Sequence, residues 1–315
     1  MGRCPSAPCI FTSYVKSFFE PIQSLSDQFG TLQSAMAAGE KIFTLMDEEP
    51  QIRQPENPKP MPAVKGRIEF EHVWFSYDGE EWVLRDVSFV IEPGQTAAFV
   101  GATGAGKSSI LNLIGRYYDI QKGRITLDGV DIRELDLKEL RRAIGQVQQD
   151  VFLFTGDIQG NIRLREDEIS DGKVHDAAKF VGADSFIDRL EQGYETAVPE
   201  RGSTLSAGQR QLLSFARTLA FDPDVLVMDE ATANIDTETE GLIQEAMAKE
   251  IDKAIQNLCK GKTVIVVAHR LSTIQHADQI MVMHHGQLRE QGTHQELLAQ
   301  NGIYKKLYDL QRRTV

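Results

Sequence analysis

Gly101-Ala102-Thr103-Gly104-Ala105-Gly106-Lys107-Ser108 is the stretch from which the rest of the chain can be read. Its glycines let the backbone curl so that successive N–H groups face one point, and a lysine followed by a hydroxyl residue completes the pattern of a phosphate-cradling loop. Lys107 is expected to reach the β- and γ-phosphates of a nucleotide, and Ser108 to hold Mg²⁺. At ordinary residue usage, a chance match in a chain of this length has odds of about one in a hundred. The context lowers them further, because Thr96 to Val100 reads as a short buried strand and Ser108 to Tyr118 as a helix. Strand, glycine loop and helix in that order predict an α/β core, whereas a plain glycine turn predicts nothing on either side.

Further along, Val225-Leu226-Val227-Met228-Asp229-Glu230 is an apolar strand ending in two carboxylates. Asp229 can hold Mg²⁺ through water, and Glu230 can polarise an attacking water. Val264 to Ala268 is a second all-apolar strand, followed by His269; such runs suit parallel strands buried on both faces. Between loop and carboxylates, Leu205-Ser206-Ala207-Gly208-Gln209 precedes the helical run RQLLSFARTLAF. The first turn of that helix offers N–H groups to phosphate, although the same residues also fit an ordinary serine-capped helix start.

Upstream of the loop, Ile68, Phe70, Val73 and Phe75 suggest a strand and Val83 to Ile91 another, with Asp78-Gly79 turning between them. Residues 1–13 read as irregular. Residues 14–49 carry Phe18, Ile22, Leu25, Phe29, Leu32, Met36, Ile42 and Leu45 at helical spacing, and 50–65 form a proline-rich linker. The main domain is expected over 66–315, with a mainly helical insertion at about 137–215 and a last helix over Gln295 to Gln311.

Composition bounds the function. The chain has 315 residues, 41% of them hydrophobic, which is enough for a large core. A net charge of -12, from 34 Lys and Arg against 46 Asp and Glu, offers no basic footprint for nucleic acid. Cys4, Cys9 and Cys259 are too few for a disulfide framework and have no companions for a zinc site. No window approaches the ~20 apolar residues of a membrane span, and Phe11 to Ile22 is interrupted by Lys16, Glu20 and Pro21.

The phosphate loop, the serine-glycine pentapeptide, the Asp-Glu strand and a downstream His, in this order, resemble the ATPase domain of ABC transporters from about Tyr14 to Gln311. The resemblance implies a P-loop core of ABC ATPase type, with an antiparallel β subdomain and an inserted helical subdomain, preceded by an amphipathic helix. It implies ATP and Mg²⁺ as ligands. Tyr77 matches the aromatic that stacks on adenine, a contact worth about 1–3 kcal/mol by analogy with base stacking, and Val83 lies beside it. Gly101, Ala102, Thr103, Gly104, Ala105, Gly106, Lys107, Ser108 and Ser109 surround the phosphates. Gln149, rather than Gln148, joins Ser108 and Asp229 at the metal; Glu230 serves the water, and His269 positions Glu230 and meets the γ-phosphate. Asp236 closes the loop between two ATP sites, and Thr196 to Gly202 resembles a segment that meets a partner's coupling loops, with an unexpected Pro199.

In this family two domains pair head to tail. Leu205, Ser206, Ala207, Gly208 and Gln209 then serve the partner's nucleotide. The stretch FFEPIQSLSDQFGTLQSAMAAGEKIFTLMDEEPQI resembles the cytosolic end of an exporter's final transmembrane helix, and the sequence after His269 also resembles exporters. Ala207, Ala233 and Asn234 stand where Gly, Ser and Ala are usual, as in one half of a heterodimer. The implied partners are a second ATPase domain and an exporter's membrane domain, at the cytoplasmic face of a membrane. Met247 to Gly261 is longer than the family expects, and the other membrane helices are absent, as in a fragment or a truncated product. Rival readings are a soluble ABC ATPase of DNA repair or chromosome organisation, a phosphotransferase, and a fragment that binds ATP without supporting transport. The first lacks its coiled coils here, and the second has no need of the pentapeptide.

Overall fold

The structure, a computed structural model, describes residues 7–61, 63–147, 151–164, 166, 168–229, 259, 261–267 and 274–314. It divides into two units, Met1–Gln51 and Ile52–Val315. The first is essentially one helix, α1 (Ala7–Met46), with Pro21 inside it. It starts within the stretch expected to be irregular, since Pro in a first turn lacks only an N–H that would have no helical partner. Phe18, Ile22, Leu25, Phe29, Leu32 and Met36 are all exposed on it.

The second unit is organised by a six-stranded sheet in the order β12-β11-β3-β10-β9-β6. Its members are β3 (Thr96–Val100), β6 (Ile144–Val147), β9 (Val225–Asp229), β10 (Thr263–Val267), β11 (Gln279–His284) and β12 (Gln287–Gly292). All pairs are parallel except that of β11 with β12. The central strands are apolar throughout Ala97–Val100, Val225–Met228 and Val264–Val267 because both faces are covered. Ala98, Val100, Leu226, Met228, Val264 and Val266 enter one core; Ala97, Phe99, Val225, Val227, Ile265 and Val267 enter the other.

The first core is closed by helices. These are α4 (Ile158–Arg163), α5 (Asp171–Phe180), α6 (Asp184–Ile187) and α7 (Ala207–Ala220), with Leu212, Leu213 and Phe215 of α7 buried in it. The second core is closed by α2 (Lys107–Ile114) and α3 (Leu137–Ala143) and by a four-stranded sheet in the order β2-β1-β4-β5. That sheet comprises β1 (Ile68–Phe75), β2 (Leu84–Ile91), β4 (Lys122–Leu127) and β5 (Val130–Asp131), all antiparallel. Truncating a side chain such as Phe99, fully buried and edge-on to Phe89 of β2 at 5.4 Å, costs about 3–5 kcal/mol.

Several expectations are corrected. The helix read to Tyr118 ends at Ile114, because Gly115 caps it and Arg116 turns into the left-handed region (φ 47). The interval 137–215, read as helical, contains β6 of the main sheet, the short pair β7 (Gly156–Asp157) and β8 (Ala197–Val198), and two 3-10 turns. The last helix is two, α8 (His294–Ala299) and α9 (Ile303–Thr314), separated at Asn301 (φ 51) and Gly302. No described residue of the proline-rich segment is helical, and its end is pinned: the N–H groups of Lys65 and of the adjoining Gly66 and Arg67 all bond the Asp128 carboxylate, at 2.8, 3.2 and 2.9 Å.

Candidate nucleotide site

The parallel sheet delivers its loops to one edge. Val267 lies level with Phe99 on one side and Asp229 on the other, and Val147 is level with Met228. Gly101 to Gly106, Asp229 and the last residues of β6 and β10 therefore lie together at the carboxyl ends of the strands, where α/β proteins bind ligands. Glu230, Gln149, Asp236 and His269 lie outside the described residues.

The loop holds its shape through two close approaches. A side chain at Gly101 would strike the carbonyl of Met283, and one at Gly106 (φ +97) would stand 2.6 Å from Leu84 Cδ2. Gly106 is also the N-cap of α2 and supplies no side-chain acceptor, so the first-turn N–H groups have no cap from that residue. Lys107 is only 7% exposed. Its Nζ donates to the carbonyls of Gly101 (2.9 Å) and Ala102 (3.1 Å), which places the ammonium inside the concavity. Ala102, Thr103, Gly104 and Ser108 are exposed, whereas Ala105 and Ser109 are buried. A concave run of N–H groups with a dipole's positive end behind it and an ammonium within it can hold a phosphate chain.

Tyr77 is half-exposed beside this loop, braced edge-on by Phe75 (4.7 Å between centroids) and Tyr118 (4.9 Å). Its hydroxyl is 3.0 Å from Ser109 Oγ, a tie to α2 that the sequence did not announce. Asp78 shapes the adjoining turn; the Glu80 N–H, the Ser76 hydroxyl and the Glu81 N–H hold its carboxyl below the usual range. Val83 donates its N–H to Phe75 O (2.8 Å), and its own carbonyl lies against Gly106.

Mg²⁺ is bound in nucleotide sites by one or two carboxylates plus substrate phosphates and water, not by an all-protein cage. The described residues fit that pattern. Asp229 at the tip of β9 and the exposed Ser108 hydroxyl are hard oxygen donors, and no group of three or more His, Cys, Asp or Glu able to hold a metal occurs among the described residues.

The pentapeptide is elsewhere, at the head of α7. Leu205 is buried, while Ser206 and Ala207 are exposed. Ser206 is the N-cap in a reciprocal box: its Oγ accepts from Gln209 N (3.2 Å) and Gln209 Oε1 accepts from Ser206 N (2.9 Å). Further down α7, Arg217 was not anticipated. Its guanidinium donates to Asn161 O (2.9 Å) and Phe152 O (3.2 Å), and burial lowers its pKa from the usual value. It thereby fastens the segment after 149, where Phe152 and Phe154 are exposed, beside a groove of about 300 Å³ lined by Tyr117, Arg141, Ile144, Phe152 and Phe221. An arginine set between Ala216 and Thr218, among the apolar positions of the helix, was the available signal. In Thr196 to Gly202, Pro199 caps the 3-10 turn Glu200–Gly202, and Arg201 takes φ 58.

Residues 84–233 match the family model described as ABC transporter. A protein of Streptococcus pneumoniae serotype 4, named as an ABC transporter ATP-binding protein, is 50% identical over 301 residues, covering 96% of this chain and 50% of its own length. The ATP-dependent lipid A-core flippase of Haemophilus influenzae is 44% identical over 304 residues, covering 96% of this chain and 50% of its own. A solved bacterial Atm1-family ABC exporter with ATP bound superposes with a TM-score of 0.79 at 36% identity, over 96% of this chain and 52% of that one. The chain thus spans about half the length of the relatives it matches.

Proposed function

We propose that this chain, matched over residues 84–233 by the ABC transporter model, is an ATP-binding domain of that family, and that it binds ATP with Mg²⁺ and hydrolyses it to drive export across a membrane. The observation that carries this reading is the uncapped start of α2, with the Lys107 ammonium drawn into the loop and Asp229 at the same sheet edge. Tyr77 stacks on the adenine with Val83 beside it, and Gly101 to Ser109 enclose the phosphates. Lys107 neutralises charge on the β- and γ-phosphates. Ser108, Asp229 and Gln149 hold Mg²⁺, which when bound offsets phosphate charge. Glu230 orients and polarises the attacking water, and His269 positions Glu230.

Leu205 to Gln209 act on the nucleotide of a second ATPase domain, so two chains, identical or different, close head to tail around ATP with Asp236 in the loop between the sites. Closure on ATP and release after hydrolysis is a binding-energy switch. Residues 14–49 continue an exporter's final transmembrane helix, 50–65 link it to the ATPase domain at 66–315, and Phe152, Phe154 and Thr196 to Gly202 face the membrane part. The domain works at the cytoplasmic face of that membrane.

The test is ATPase rate against protein concentration for the chain and for Glu230→Gln, with sizing of the variant in ATP. A rate per chain that rises with concentration, and a variant that is inactive yet dimeric in ATP, are expected. A flat, near-zero rate with ATP still bound would overturn a self-sufficient motor.

A further inference from the structure

Arg116 lies at the far end of α2 from Lys107 and grips three segments at once. It is 5% exposed. Its Nε and Nη2 bond the Asp119 carboxylate at 2.8 and 3.3 Å, Nη1 donates to the carbonyl of Arg133 at 3.3 Å, and Nη2 donates to the carbonyl of Arg53 at 3.3 Å. Arg141 of α3 in turn donates to the carbonyls of Gly115 (3.3 Å) and Arg116 (3.0 Å), seating this end of the helix. A guanidinium is a rigid planar fork, so its bonds fix direction as well as distance.

Arg53 begins a strap laid along the second unit. Gln54 bonds the Asp136 carboxylate and Leu137 N, Lys59 N donates to Glu134 O at 2.8 Å, and Asp128 takes the N–H groups at 65–67. Those contacts fix the strap to the 128–137 segment. Arg116 ties it to the helix that carries the nucleotide loop. That helix has only two turns, about 12 Å, so it moves as one piece.

We propose that Arg116 is a positioning residue that transmits occupancy of the nucleotide loop to the strap at 52–61, and through it to the chain running back past residue 51. The inference rests on the nucleotide-binding reading of the loop. A phosphate drawn against the N–H groups of α2 shifts or stiffens the helix, and the Arg53 carbonyl follows its clamp.

The experiment is hydrogen–deuterium exchange on the full chain, with and without a non-hydrolysable ATP analogue and Mg²⁺, with binding measured separately by calorimetry. In the native sequence, exchange over 52–61 slows several-fold when the analogue binds. In Arg116→Lys, which keeps the charge but cannot span Asp119 and two carbonyls, the analogue still binds and the change over 52–61 is lost. Gln54→Ala loosens the strap elsewhere; its baseline exchange rises and its nucleotide response stays. If Arg116→Lys does not fold, Asp119→Ala removes both acceptors that anchor the guanidinium and gives the same loss. The proposal is overturned if the native strap ignores bound analogue, if Arg116→Lys keeps the response, or if Gln54→Ala loses it. A purely structural arginine would lower the melting temperature without separating binding from response. Failure of the native chain to bind the analogue overturns the reading of the loop, and this inference with it.

Discussion

Two helices of this chain begin with N–H groups suited to an anion, and they are prepared in opposite ways. At α2 the cap is a glycine with no acceptor of its own, and the only ammonium in the loop reaches carbonyls behind it. At α7 the serine and the glutamine of the pentapeptide satisfy each other's backbone N–H groups. An anion at α2 meets a helix start whose cap residue supplies no acceptor, whereas one at α7 must exchange places with an internal cap. Under the proposed function, the first start serves the chain's own nucleotide and the second a partner's.

The largest expected effect attacks the open end. Lys107→Ala should cut Mg-ATP turnover by about 10²-fold or more, the scale seen on removing one charge-stabilising donor; retained turnover would break the contrast at its first term. Next, Gly106→Ala forces a side chain into φ +97 and toward Leu84 Cδ2. A loss of about 1–3 kcal/mol is expected in a denaturant melt, accompanied by weaker nucleotide binding. At the closed end, Ser206→Ala should cost about 1 kcal/mol of stability. Ser206→Asp should leave stability within a few tenths of a kcal/mol of the native value, because Asp caps as well as Ser, yet abolish any concentration-dependent ATPase by setting a carboxylate against phosphate. Equal activity of the Asp and native chains would mean that α7 never meets a nucleotide.

The smallest effect compares two caps. Helix α8 carries the same box with Thr293 and Glu296, and the Thr293 N–H and hydroxyl hold the Glu296 carboxyl below its ordinary value of 4.5. A depressed folded pKa stabilises above the unfolded value and is lost as pH falls through the folded one. Protection of the α8 amides, corrected for the intrinsic pH dependence of exchange, should therefore fall as pH drops below 4.5, while the neutral Ser206–Gln209 cap of α7 shows no such step. Both helices losing protection together would assign the change to the whole fold.

How much of this was legible depends on what each residue had to satisfy. β3, β9 and β10 were readable because burial on both faces forces unbroken apolar runs. β6 was not, since Ile144-Gly145-Gln146-Val147 is polar in its middle, and Gly145 is there because a side chain would press on Pro223. β11 and β12 hid in a stretch read only for the sequence after His269, although Gly286 marks their turn. The break between α8 and α9 had its signal in Asn301-Gly302. The loop and Asp229 were legible in their own patterns, because a phosphate cradle dictates the spacing of its residues, whereas Tyr77 came only through the family resemblance. Arg116 and Arg217 were not legible, because their guanidinium groups are placed by carbonyls that only the folded chain brings near.

The launching strand β3 also sets an order of events. Both of its neighbours come from the far end of the chain: Thr96 pairs with Val264 and Ala97 with Gln279. Bringing such distant segments together spends chain entropy before any contact rewards it. The antiparallel sheet, with every strand between Ile68 and Asp131, can assemble long before that. On a ribosome, which releases the chain from its N-terminus, residues 101–108 are therefore made well before the two strands that flank β3, and acquire their shape only after those strands arrive.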